Sequence, residues 1–125
     1  SGASFYAVTP CRVLDTRDPD GPWGGPALAA GLSRTFTIAG RCGIPANAKA
    51  VSFNVTVTET SDSGHLSLYP GGASTPPTST INYRAGQTRA NNAILRLGTT
   101  GTLAVFCGQG SGRAHVILDV NGYFQ

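Results

Sequence analysis

His115-Val116-Ile117-Leu118-Asp119-Val120-Asn121-Gly122-Tyr123-Phe124 is the run that most restricts how this chain can fold. Its β-branched and aromatic residues specify one long strand. A strand this apolar must be paired and buried, because an exposed apolar edge invites uncontrolled pairing. The fold is therefore expected to close at Phe124, as a complete domain cut at its natural edge.

The rest of the chain reads in the same way. Val51, Phe53, Val55 and Val57 alternate with Ser52, Asn54, Thr56 and Thr58, the period of two that a half-buried strand requires. Further strand patterns lie at Phe5–Val8, Arg12–Asp15, Arg34–Ile38, Gly64–Tyr69, Ser79–Tyr83, Ala90–Leu97 and Thr102–Cys107. Gly, Pro, Ser and Asn punctuate them, most densely between Asp18 and Pro26. Ile44-Pro45-Ala46-Asn47-Ala48 reads as a single helical turn with Pro near its start. About eight or nine strands at roughly ten-residue spacing predict an all-β fold, an antiparallel β-sandwich of jelly-roll or Ig-like type. One such domain is expected over residues 3–125. Ser1 and Gly2 are set aside as a cloning remnant.

Composition narrows the function classes. Charged residues make up 12% of the chain, against about 25% in ordinary soluble domains. Ser, Thr, Asn and Gly must cover the surface, as in modules that work outside the cell. The net charge of +3 comes from scattered single arginines and Lys49. It suits an acidic partner, but no block of Lys and Arg marks a nucleic-acid footprint. No apolar run is long enough to cross a membrane as a helix. With no Met and no signal peptide, the chain reads as a piece of something longer.

Three cysteines leave one thiol over if two pair. Cys11 and Cys42 both sit beside loops and are expected to form a disulfide closing about 30 residues, worth roughly 3 kcal/mol in the chain-entropy view. Cys107 then faces the core as a small hydrophobe. A Cys42–Cys107 bridge is the alternative.

Phe5-Tyr6-Ala7-Val8-Thr9-Pro10-Cys11-Arg12-Val13-Leu14-Asp15-Thr16-Arg17, Cys42-Gly43-Ile44-Pro45, Asn54-Val55-Thr56, Asn91-Asn92-Ala93 and Asp119-Val120-Asn121-Gly122-Tyr123-Phe124 carry a resemblance over nearly the whole chain. Together they resemble an accessory, often repeated module of secreted multidomain bacterial surface proteins. The resemblance implies an extracellular location and a non-catalytic role beside other domains. It identifies no ligand.

Candidate sites follow from residue chemistry. Asp15, Asp18 and Asp20, with Gly21 next to them, offer the oxygens a hard cation such as Ca²⁺ needs, though not in EF-hand register. The alternative is that Asp15 pairs with Arg17 while Asp18 and Asp20 shape turns. Trp23 either stacks on a sugar face or folds back as a lid over the sandwich. Tyr69, Tyr83 and Tyr123 are read as core or edge residues with their hydroxyls at the surface. Arg84, Gln87 and Arg89, with Asn91 and Asn92, form the most ligand-like segment. Guanidinium forks suit carboxylates and sulfates, hence acidic sugars. Against that stands an internal role, in which the asparagines satisfy loop backbone and Arg89 pairs with Asp119. The Ser52/Asn54/Thr56/Thr58 face either meets sugar hydroxyls or is simply solvated.

Catalytic constellations are poorly supplied. His65 and His115 are the two histidines, no G-x-S-x-G elbow occurs, and Glu59 and Asp62 flank a turn. A Cys107–His115 thiol pair would need Cys107 to leave the core. The expectation is a secreted, non-catalytic domain that binds polysaccharide or a cell-surface glycan through Trp23, Arg84, Gln87 and Arg89, without a cofactor other than the Ca²⁺ considered above. A structural or protein–protein module of a stalk, fibre or adhesin is the first alternative. A small hydrolase is the second. Neither nucleic acid nor membrane insertion is expected.

Overall fold

The computed structural model describes residues 2–125; Ser1, set aside above, lies outside them. Nine strands run in chain order as Phe5–Asp15 (β1), Leu28–Ala29 (β2), Ser33–Thr37 (β3), Ala50–Thr58 (β4), Gly64–Pro70 (β5), Ile81–Tyr83 (β6), Arg89–Arg96 (β7), Thr102–Gln109 (β8) and Arg113–Phe124 (β9). One sheet has the order β1-β9-β4-β7, with β2 also on β9, and the other has the order β3-β8-β5-β6. All pairings are antiparallel, and β1 with β9, β3 with β8, β4 with β7 and β5 with β6 each pair directly. First pairs with last, then inward: this is a long hairpin rolled on itself, the jelly-roll wrap rather than the Ig-like one.

The alternation read from the sequence explains the packing. Val51, Phe53, Val55 and Val57 of β4 are fully buried, and Ala114, Val116, Leu118 and Val120 of β9 lie beside them. Leu66, Leu68, Leu103, Val105 and Cys107 close the core from the opposite sheet. Each such aliphatic side chain contributes about 1.5–3 kcal/mol by leaving water. β9 lies between β1 and β4 over most of its length, so its backbone is paired on both edges, and Ile117 and Leu118, consecutive and on opposite faces, are both buried.

Three local readings change. The first strand does not stop at a proline corner but runs through Pro10 to Asp15, with register shifts between Ala7 and Cys11 and between Arg12 and Leu14. Pro10 is accepted there because β1 is an edge strand and the proline falls in an irregularity that needs no N–H. The segment after Ile44 is a turn closed by Ala48 N–H donating to Pro45 O, not a helical turn. The two-residue β2 has no alternation to announce it and exists because Leu28 and Ala29 reach Ala114 and Arg113. Cys11 and Cys42 form the disulfide, and Cys107 is a free, buried thiol.

Candidate functional site

Arg84, Gln87 and Arg89, neighbours in the sequence, come together in space. The β6–β7 turn folds them around a groove of about 260 Å³ completed by Asn82 and Tyr83. Gln87 is partly spent internally, since its Oε1 accepts from Arg84 N–H at 3.0 Å. Arg89 donates one Nη1 bond to Asn82 O at 2.9 Å, which anchors its guanidinium at the groove. Both arginines are exposed, and among the described residues neither has a carboxylate within ion-pair reach. Beneath them Tyr83 donates a buried hydrogen bond of 2.6 Å to Gln109 Oε1. Burial raises the Tyr83 pKa far above the usual phenol value, and burial likewise pushes the neighbouring Cys107 thiol up.

Trp23 is not part of this groove. It packs partly buried against the core, its indole N–H donates to Thr37 O at 2.8 Å, and the Arg41 guanidinium covers its ring at 3.9 Å. Trp23 also lines a separate groove of about 270 Å³ with Arg12, Asp18 and Arg41. The loop of residues 16–27 connects β1 to β2, with Asp15 N–H donating to Trp23 O. Two arginines fasten it. Arg34 donates to the carbonyls of Gly21, Gly24 and Pro26, and Arg41 to Val13 O. Burial lowers the Arg34 pKa from its ordinary value. Sequence reasoning missed this role for both, because a lone Arg beside Gly-rich loops carries no signal of which carbonyls it will meet.

The acidic cluster of the sequence does not converge in space. Arg17 takes both Asp15 oxygens, Nε to Oδ1 at 3.0 Å and Nη2 to Oδ2 at 2.8 Å, and Arg17 N–H also donates to Oδ1. The hydrogen bond from Arg17 holds the Asp15 carboxyl below the usual carboxylate range. Asp18 and Asp20 lie exposed in the loop. No group of three or more His, Cys, Asp or Glu among the described residues is placed to hold a metal ion.

Asp119 pairs with Arg12, at 3.0 Å, and not with Arg89. The sheet order is the reason, since β1 is the neighbour of β9 while β7 lies across β4. On the Ser52/Asn54/Thr56/Thr58 face Ser52 is buried and the other three are partly buried, with Thr88 bonded to Thr58 and Asn92 to Asn121 along it. Tyr69 and Tyr83 hide their hydroxyls rather than expose them. Tyr69 donates to Ser33 Oγ, and the loop after β5 lies over it through Thr75. Tyr123 is half-buried and stacks on Tyr6. Cys107 and His115 do not meet, for the thiol is in the core while His115 Nδ1 is hydrogen-bonded to Thr16 Oγ1 at 2.8 Å. Among the described residues no helix is long and apolar enough to cross a membrane. Comparison of the sequence with protein-family models and with curated proteins finds no match to either.

Proposed function

We propose that this jelly roll is a non-catalytic extracellular binding domain that attaches to an anionic glycan through the β6–β7 groove. One observation carries the reading: Arg84 and Arg89 stand together at one groove, exposed and, among the described residues, without a carboxylate partner. Guanidinium forks match the planar carboxylates and sulfates of acidic sugars, and Asn82 and Gln87 add amides suited to hydroxyls. The Cys11–Cys42 disulfide supports an oxidising location, where such bonds persist.

The test is a binding screen against uronate-containing, sulfated and neutral glycans. Arg84→Ala with Arg89→Ala is expected to abolish binding to the acidic members. Trp23→Ala is expected to keep binding but lower stability by about 2 kcal/mol, less than the loss at a fully buried Trp. Binding lost in Trp23→Ala and retained in the arginine variant would overturn the proposal.

A stalk, fibre or adhesin role is favoured by a different observation. Ile94 and Phe5 are 60% and 50% exposed on the same sheet. Concentration-dependent association in light scattering, lost in Ile94→Lys, would support that role instead.

A further inference from the structure

The nine basic side chains of this protein are not equivalent. Arg12 and Arg17 are neutralised by Asp119 and Asp15. Arg34 is committed to loop carbonyls, and Arg41 to Val13 O of β1 and the face of Trp23. Of the five that remain, Arg113 lies beside β2, whereas Lys49, Arg84, Arg89 and Arg96 all flank β7. At the end opposite the Arg84/Arg89 groove, Lys49 and Arg96 border a second groove of about 480 Å³ with Ile94, Leu97 and Phe124. Of the six acids, Asp15, Asp18, Asp20 and Asp119 belong to β1, the loop after it and β9, while Glu59 and Asp62 lie in the β4–β5 turn, which is hydrogen-bonded to the Arg84–Gly86 turn but makes no ion pair with Arg84 or Arg89.

β7 itself is built to be lined rather than covered. It is hydrogen-bonded only to β4, so its other edge is free. The facing edge strand β6 is three residues long, and residues 89–92 are exposed on both faces. Arg89 pairs with the inward-facing Val57 and Arg96 with Ala50, one position from the inward Val51, so the two arginines flank the free edge from opposite faces. Asn91 makes no side-chain hydrogen bond among the described residues and Asn92 makes one, leaving amide groups along the edge.

From this we infer that the β7 edge is a continuous track for a linear polyanionic glycan, running from Arg84 and Arg89 to Lys49 and Arg96. The inference rests on the anionic-glycan reading above and extends it from a single groove to a chain. Eight strand residues span roughly 25 Å, long enough for several sugar units in one extended stretch. Carboxylates at intervals would meet the guanidinium and ammonium groups at the two ends. Ring hydroxyls would meet the Asn91 and Asn92 amides, and an apolar sugar face would rest on Ile94. An added peptide strand would find no apolar pocket beside residues 89–92, and such pockets are where strand addition gains specificity.

The experiment is a titration of the domain with linear oligouronates of increasing length, alongside the Lys49→Ala/Arg96→Ala and Arg84→Ala/Arg89→Ala double variants. All four side chains are exposed, so the variants keep the fold. Affinity is expected to rise with length and then level off once the chain spans the strand. Lys49→Ala/Arg96→Ala is expected to weaken the longest oligomer about tenfold or more and leave the disaccharide unchanged, because only a long chain gains from the second contact. Length-independent affinity sensitive only to Arg84 and Arg89 would overturn the track and leave the single groove standing. Absence of binding at every length would remove the anionic-glycan reading and the track with it. Tighter binding of poly-glutamate than of a polyuronate of equal charge would overturn the track in favour of an acidic protein strand.

Discussion

At the residue scale, the chemistry of this protein is decided by which partner each charged side chain finds. Asp15 is buried, yet it is held by a bidentate bond from the half-exposed Arg17, with Arg12 at 3.6 Å. Its folded-state pKa is lowered, mainly by the Arg17 hydrogen bond. The sign follows from linkage: the ionised form is favoured by folding, so the stabilisation is present above the unfolded carboxylate value and is lost as pH falls through the depressed one. Asp15→Asn is expected to cost about 2 kcal/mol at neutral pH, below the cost of a fully buried pair because Arg17 can turn to water. Urea unfolding of both proteins down to about pH 2 checks this; the gap should narrow once pH falls below the ordinary carboxylate range. A gap independent of pH would mean that Asp15 acts by shape rather than charge. The pairing of Asp15 with Arg17 was legible two residues apart in the sequence. The pairing of Asp119 with Arg12 was not, because 107 positions separate them and only sheet order decides between Arg12 and Arg89.

At the scale of elements, strands were legible where side chains alternate and illegible where pairing alone makes them. β4 and β9 announce themselves by composition, whereas β2 exists only through its bond to β9. β1 shows how an edge strand absorbs a proline and remains one element. Its weak point is the irregular stretch between Ala7 and Cys11, which the disulfide ties to the loop after β3. The cross-link spans a sequence separation of 31. Reduction, or the Cys11→Ala/Cys42→Ala variant, is expected to lower unfolding free energy by about 3 kcal/mol while leaving the sandwich folded. Denaturant midpoints with and without reductant measure it, and an unchanged midpoint would show that strand pairing alone holds β1. A close approach also favours glycine at one position here: a Cβ at Gly122 would come within 2.9 Å of the Tyr6 backbone oxygen and displace the Phe5 ring.

At the scale of the whole molecule, the small net charge of +3 hides a polarised surface. Asp15, Asp18, Asp20 and Asp119 gather at β1, its loop and β9, Glu59 and Asp62 stand in the β4–β5 turn, and cations without an ion-pair partner among the described residues gather along β7, at the opposite edge of the sheet from β1. Such an arrangement steers an anionic chain toward one edge. Binding to an oligouronate is therefore expected to weaken steeply with added salt, as titrations at rising ionic strength would show, since exposed charges are screened over about 10 Å at 0.1 M. Salt-independent binding would shift weight to hydroxyl and apolar contacts.

The sequence by itself determined the fold class, the buried Val51, Phe53, Val55 and Val57 face of β4 and the clustering of Arg84, Gln87 and Arg89. All of these rest on local periodicity or short separation, which a chain carries in its composition. The tertiary structure alone decided the jelly-roll wrap, the removal of Trp23 from the candidate site, the partner of Asp119 and the alignment of Lys49 and Arg96 with the groove. Each of these depends on which strands become neighbours, and that is set by the burial of every face at once rather than by any segment of the chain.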